Sequence, residues 1–192
     1  IKNLPSSPQV DDEQVKGLIR GATDLLNRES GENPYLIHED LQDIMGNGAG
    51  IVRNEKDLET GIEQLEDLKK KANNLKAHGS SQYNPGWNEA ISIKSLMIVG
   101  EAVARAAHIR KESRGAHTRT DHEGERDEWL KQNIIISKGD DGEMKLEQVE
   151  RAAPAKYLEE IGQSKIEDLE SGKVGGDAPD DVEIDHGGIL NG

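Results

Sequence analysis

Between Lys111 and Glu123 the chain gathers the side chains best suited to chemistry: Lys111, Glu112, Ser113, Arg114, His117, Arg119, Asp121, His122 and Glu123. Arg114 and Arg119 flank His117 and could clamp a carboxylate or phosphate, since a guanidinium fork presents two parallel donors to a pair of oxygens. They could equally pair with the chain's own acids or cap helix carbonyls, and spacing alone leaves both readings open. His117, Asp121 and His122, with Glu123, offer nitrogen and oxygen ligands for a divalent metal. Their spacing matches no helical histidine–glutamate zinc motif, so a solvated polar loop is the better reading. Tyr83 and Trp87 could make an aromatic recognition surface. With five aromatics in the chain, we expect them instead to plug one end of the fold, their polar tips bonded locally. No Ser–His–Asp set or paired-carboxylate arrangement stands out. The run Gly46-Asn47-Gly48-Ala49-Gly50 follows an expected helix, whereas a nucleotide-binding loop must follow a strand. It reads as a helix stop.

Composition narrows the classes. The 192 residues carry a formal charge of −14, with 38 acidic and 24 basic side chains. That excludes an extended phosphate-binding surface, which requires clustered Lys and Arg. The absence of Cys removes disulfides, thiolate metal sites and cysteine nucleophiles, and fits a reducing compartment. No apolar run is long enough to span a bilayer, and no signal-peptide core is present. The chain begins with Ile and is expected to be a segment of something longer. Hydrophobic residues make up 33% and Phe is absent, so part of the chain should be poorly ordered. Acidity concentrates in 151–192, which holds ten Asp or Glu against four Lys or Arg.

These side chains must be positioned by helices. Residues 1–9 read as linker. Val15, Leu18, Ile19, Ala22, Leu25 and Leu26 predict an amphipathic helix from Val10 to Arg28, interrupted at Gly17 and Gly21, with Asp11 and Asp12 at its start. Asn33 and Pro34 are the cap and first position of a second helix running to about Met45, with Leu36, Ile37, Leu41, Ile44 and Met45 inward. After Asn54, the positions Leu58, Ile62, Leu65, Leu68, Ala72 and Leu75 form a seam at three- and four-residue intervals. Tyr83-Asn84-Pro85-Gly86-Trp87 predicts a turn, followed by a helix from about Asn88 to Lys111. That helix is apolar over most of its circumference and is expected to be central. Lys111–Arg119 lies at its end, where the helix dipole favours cations and Gly115 permits a left-handed exit. Asn133–Ser137 and Met144–Val149 predict a β-hairpin around 138–143, and Tyr157–Ile161 a short helix. The organisation is a 1–9 linker, a 10–127 helical bundle, a 128–150 hairpin extension and a 151–192 acidic, largely disordered tail.

The stretch Lys111-Glu112-Ser113-Arg114-Gly115-Ala116-His117-Thr118-Arg119 resembles the Lys-Glu-Ser-Arg-Gly-x-His segment of the succinate dehydrogenase and fumarate reductase flavoproteins, a family that includes L-aspartate oxidase. Three further pieces fit in the same order. Leu41–Met45 followed by Gly50-Ile51-Val52-Arg53-Asn54 resembles the family's helix and Gly-Ile-Val-Arg element. Gln82–Trp87 resembles a turn in some bacterial succinate dehydrogenase flavoproteins, and Glu101–Ala107 the small-residue helix leading into Ser-Arg-Gly. The resemblance covers residues 10–150.

It implies a mainly α fold: the three-helix, spectrin-repeat-like bundle of the flavoprotein's C-terminal domain, with an added N-terminal helix and a small β-hairpin. It implies a parent oxidoreductase that interconverts succinate and fumarate in the tricarboxylic acid cycle, through FAD and an iron–sulfur subunit. In the family the FAD fingerprint, the flavin-linking histidine and the dicarboxylate-binding groups lie upstream, and none has a counterpart here. The chain alone is therefore expected to hold no FAD, metal or catalytic residue. Arg114, His117, Arg119, Arg53, Tyr83 and Trp87 are expected to be motif and docking residues. The implied partners are the FAD-binding domain and the iron–sulfur subunit, with no nucleic acid and no membrane insertion. The implied location is cytoplasmic, peripheral on the inner face of the cell membrane. Gly46 departs from the family, standing where relatives often carry a large residue, frequently Trp; the acidic segment from Arg151 has no counterpart. The alternative is a free-standing helical interaction module without enzymatic activity. A small metal-dependent hydrolase is a distant third.

Overall fold

A computed structural model describes residues 10–174. The expected linker 1–9 and the last eighteen positions of the acidic segment lie outside the described residues. The chain divides into two compact units, one of Ile1–Arg126 with Ile134–Glu147, the other of Asp127–Asn133 with Gln148–Gly192.

The first unit is a helical bundle. Its helices are α1 (Asp12–Asn27), α2 (Pro34–Gly48), α3 (Glu55–Ala72) and α4 (Pro85–Ile109), with short strands β1 (Val52–Arg53) and β2 (Thr118–Arg119). Each helix starts where a side-chain oxygen can satisfy its orphan amides. Asp11 accepts from Glu13 and Gln14, Asn33 from Tyr35, Asn54 from Asp57 and Asn84 from Trp87. The last case corrects the expected start at Asn88. Asn84-Pro85 repeats the Asn33-Pro34 signal, a cap followed by a proline whose fixed φ suits the first helical position. The expected break of α1 at Gly17 and Gly21 does not occur: a Cβ at either would meet nothing within 4 Å, so these glycines sit on a helix side with no packing to disturb.

The core is built by α2, α3 and α4, which pack against one another pairwise. Ile37 and Leu41 come from α2; Leu58, Leu65, Leu68 and Ala72 from α3; Ala90, Ile93, Met97, Ala104 and Ala107 from α4. The expected α3 seam is borne out from Leu58 to Ala72, with Ile62 packed against the cluster; Leu75 is buried too, but beyond the helix, which ends at Ala72. Each fully buried Leu or Ile side chain contributes roughly 1.5–3 kcal/mol. Leu36, expected inward, is exposed. Where α2 crosses α3 the backbones touch: a Cβ at Gly48 would lie 2.8 Å from the Gly61 Cα. The space beside Gly46 is open, so the missing large side chain leaves no hole there. α1 is held more lightly, with only Leu25 buried. Trp87 Nε1 donates to Ala22 O at 2.8 Å and Arg28 Nη1 to Leu75 O at 2.7 Å.

Strands β3 (Gln132–Lys138) and β4 (Met144–Glu150) pair as the expected hairpin. Its turn is closed by Gly139 N donating to Glu143 O at 2.8 Å. The second unit contains α5 (Asp127–Leu130), with Trp129 buried, α6 (Lys156–Gln163) and α7 (Ile166–Glu170). α6 contains the short helix expected at Tyr157–Ile161. The described part of the acidic segment is thus partly helical.

Candidate functional site

The segment after α4 folds onto the ends of two helices. Ser113 fixes its path, its Oγ accepting from Arg119 N at 2.8 Å and lying 2.9 Å from His122 O as donor. Arg114 and His117 exchange backbone bonds, Arg114 N to His117 O at 2.8 Å and His117 N to Arg114 O at 3.0 Å. The two residues between them make the tight turn, for which Gly115 takes φ +58. An L side chain there costs about 1 kcal/mol or more. The chain then runs as β2 in parallel with β1, Val52 against Thr118 and Arg53 against Arg119.

Arg119 is wholly buried. Its Nη1 donates to Ala107 O at 3.1 Å and His108 O at 3.3 Å, carbonyls at the C-terminus of α4. Its Nε and Nη2 both reach Asp121 at 2.8 Å, and Nη2 also reaches Glu55 at 2.5 Å. Asp121 in turn accepts from Glu55 N at 2.7 Å, placing a carboxylate at the N-terminus of α3 where the helix dipole favours it. One guanidinium and one carboxylate therefore tie the end of α4 to the start of α3. Lys111 bonds both oxygens of Glu55.

A second knot surrounds Glu112, also fully buried. Arg114 reaches it bidentately at 3.0 and 3.1 Å, Arg110 at 2.6 Å and Arg126 N at 2.8 Å. Arg114 also bonds Glu125 at 2.8 Å. Burial alone would raise the Glu112 carboxyl, but donors from Arg114, the Arg126 amide and Arg110 outweigh it and take the carboxyl down to about 2. The hydrogen bond from Lys111, reinforced by Arg119, lowers Glu55 to about 2 against its burial. Asp121 is held well below the usual carboxylate range by Arg119.

His117 joins β1 to this segment. Arg53 Nη1 lies 2.8 Å from its Nδ1, and its Nε2 lies 3.2 Å from Arg110 O. Burial lowers its pKa from the ordinary 6.5, aided by the charges of Arg53, Arg119 and Arg110. Of the two readings left open above, the structure takes the internal one for Arg114 and Arg119: ion pairs and helix capping. Trp87 is half-buried, but its indole Nε1 donates to Ala22 O, 65 positions away on α1, and not to a local partner. Tyr83 does not plug the bundle; it is fully exposed, with φ +49.

Glu55 was missed because a carboxylate near a helix start looks like ordinary surface, and Glu112, although inside the singled-out stretch, carried no sign that it would be the buried centre of the arginines around it. Glu101 was missed likewise. It is 3% exposed inside α4's small-residue stretch and pairs with Lys69 at 2.7 Å and Arg105 at 2.8 Å. Its place among buried Met97, Gly100 and Ala104 at helical spacing was the available signal.

Among the described residues, two triplets could gather around one ion: Glu55, Asp121 and His122, and Glu55, Glu59 and His108. Both need Glu55, whose oxygens already face Lys111 and Arg119. A metal would have to displace an ammonium and a guanidinium. His117, required by the hydrolase reading, belongs to neither. The Gly46–Gly50 run offers no cradle for a cofactor phosphate: Gly48 is closed against Gly61.

The geometry defines a helical bundle whose charged exit segment is knotted back onto its own helix ends. Over residues 38–168 the chain matches the family described as fumarate reductase flavoprotein C-term, and it belongs to that family. The succinate dehydrogenase flavoprotein subunit of Coxiella burnetii is 35% identical over 111 residues, covering 56% of this chain and 19% of that protein. The fumarate reductase flavoprotein subunit of Helicobacter pylori is 28% identical over 137 residues, covering 68% of this chain and 19% of that protein. In the solved Sdh1 complex of Mycobacterium smegmatis, a chain 30% identical superposes with a TM-score of 0.75, covering 88% of this chain and 30% of that one. The chain thus spans about a fifth of the length of these curated relatives.

Proposed function

We propose that the chain serves as the C-terminal helical domain of a flavoprotein subunit that interconverts succinate and fumarate. FAD and the dicarboxylate would be held by the part of the polypeptide N-terminal to it, and electrons passed to an iron–sulfur subunit. The chain's own role is structural: it braces the flavin-binding part and presents surface to partners. Among the described residues no helix is long and apolar enough to cross a membrane; the location we propose, peripheral on the cytoplasmic face through its complex, rests instead on the relatives' being parts of such complexes.

The observation that carries this reading is where the motif's charges point. Arg119 is directed at Glu55, Asp121 and the α4 carbonyls, and Arg114 at Glu112 and Glu125. A substrate dicarboxylate would compete with internal carboxylates already in place, so these guanidiniums make a support and not a substrate clamp. Arg53 and His117 are likewise turned toward each other, which leaves exposed Tyr83 as the motif residue best placed to touch a partner.

Two measurements test this. The purified chain should show no stoichiometric flavin absorbance, and the gene should encode a FAD-binding portion in frame upstream. Flavin bound by the chain alone would overturn the division of labour. An upstream sequence without a flavin-binding portion would overturn the reading in favour of a free-standing helical module.

A further inference from the structure

α2 ends on a dipeptide with chemistry of its own. Among the described residues, Asn47 is the one asparagine followed by glycine. An asparagine carboxamide lies within reach of the next residue's backbone nitrogen, and a glycine there has no Cβ to obstruct the approach. When Gly48 N attacks Asn47 Cγ, an N–C bond forms, the Gly48 amide proton passes to water and the side-chain nitrogen leaves as ammonia. Water then opens the five-membered succinimide at either of its carbonyls, giving aspartate or isoaspartate with no change of oxidation state. The folded chain opposes the first step. Asn47 is exposed and lines clefts of about 330 and 150 Å³ between α2 and α3, so its carboxamide is within reach of water. Gly48 is buried: a Cβ on it would lie 2.8 Å from Gly61 Cα and 3.2 Å from Asp57 O. In a helix the backbone amide is directed at the carbonyl four residues back, and the fixed φ and ψ hold it off the neighbouring side chain.

We infer that Asn47-Gly48 is a self-modifying site governed by the α2–α3 crossing: it converts when the last turn of α2 lifts from Gly61, and its product keeps that turn from settling back. The turn is weak by composition. Gly46 and Gly48, both poor helix formers, share it; Ala49 N closes it by donating to Met45 O at 3.0 Å, and it contains no basic residue. Local opening of such an end is more frequent than unfolding of the whole chain. The product then acts against closure in two ways. Its new carboxylate stands in the last turn of a helix, where the dipole disfavours negative charge. It also lies one turn from Asp43 and shares the clefts with Asp57 and Asp67. Isoaspartate further inserts a methylene into the backbone beside Gly48, where the crossing has no space for one more carbon.

Conversion is read by mass spectrometry on the peptide containing residue 47, with the aspartate and isoaspartate forms separated by chromatography. The 192-residue chain is incubated at neutral pH, folded and in guanidinium chloride. The folded chain should convert about tenfold more slowly or less. Gly61→Val, which pushes the two helices apart, should convert about threefold faster than the unaltered folded chain, with helix content retained. Leu25→Ala opens a cavity under α1, which packs on α4, and should leave the rate within about twofold of the unaltered chain. Equal rates in the folded and unfolded chain would overturn the inference. So would equal acceleration by the two variants, which would make global unfolding the controlling event. Asn47→Asp reproduces one product and should lower the guanidinium midpoint relative to Asn47→Gln, which keeps the amide. Equal midpoints would overturn the claim that the product holds the crossing open.

Discussion

At Arg119 a single side chain satisfies carbonyls at the end of α4 while neutralising carboxylates at the start of α3. Removing one member of a buried pair strands the others, and the cost commonly reaches about 3–5 kcal/mol. Glu55 is 38% exposed, so water would recover part of it, and we expect Arg119→Ala to lose about 3 kcal/mol. Arg119→Lys should recover less than half of this, because one ammonium cannot reach both carboxylates and the α4 carbonyls. Urea titrations of the three proteins measure it; a loss below about 1 kcal/mol would show that the helix ends are held by other contacts. None of this was legible locally. Arg119 and Glu55 are 64 positions apart, and a run of charged residues does not declare its partners. The types in 111–119 signalled an anion-facing segment correctly; the anions proved to be the chain's own.

The secondary structure was read where local chemistry dominates. Three- and four-residue intervals gave α3 its inner seam, and Asn33-Pro34 gave α2 its start. The same dipeptide at Asn84-Pro85 was absorbed into a presumed turn because aromatics and Gly86 surround it, and α4 was begun too late. Leu36 was placed inward because periodicity gives a face but not its width. The Gly48–Gly61 contact lay beyond sequence reading, since it depends on how two helices cross. It now yields an expectation. Gly61→Val should push α2 from α3 and cost about 1–3 kcal/mol, the range for overpacking a close contact, outweighing the small gain in helix propensity over Gly. Gly46→Val, facing open space, should be close to neutral or slightly stabilising, since Val is the better helix former. Thermal melts of the two variants check the contrast, and equal melting shifts would refute it.

For the molecule as a whole, the charge of −14 and the buried ion pairs act together on pH dependence. Hydrogen bonds from Lys111 and from Arg114 bring Glu55 and Glu112 down to about 2 in the folded state from an ordinary 4.5, and Arg119 holds Asp121 below its ordinary 3.8. Their contribution to stability is present above those unfolded values and is lost as pH falls through the folded ones. His117 adds to the same trend: with a folded pKa below 6.5, it penalises the folded state once the unfolded chain begins to take up that proton. Stability should therefore start to decline below about pH 6.5 and fall more steeply from about 4.5 to 2. Urea midpoints across that range measure the curve. His117→Gln should flatten its upper part alone, and an unchanged profile would show that His117 does not contribute.

The knot at Arg119 also bears on the time course of folding. Its partners are helix termini, which exist only once α3 and α4 have formed, and closing it joins positions 64 residues apart at an entropic cost that is met late. A contact made after the folding barrier governs how fast the chain comes apart, with little influence on how fast it assembles. Arg119→Ala should accordingly steepen loss of structure by raising the unfolding rate while refolding proceeds nearly as before; slowed refolding would reverse that order. The segment that names the family would then act in this protein as a latch on its lifetime.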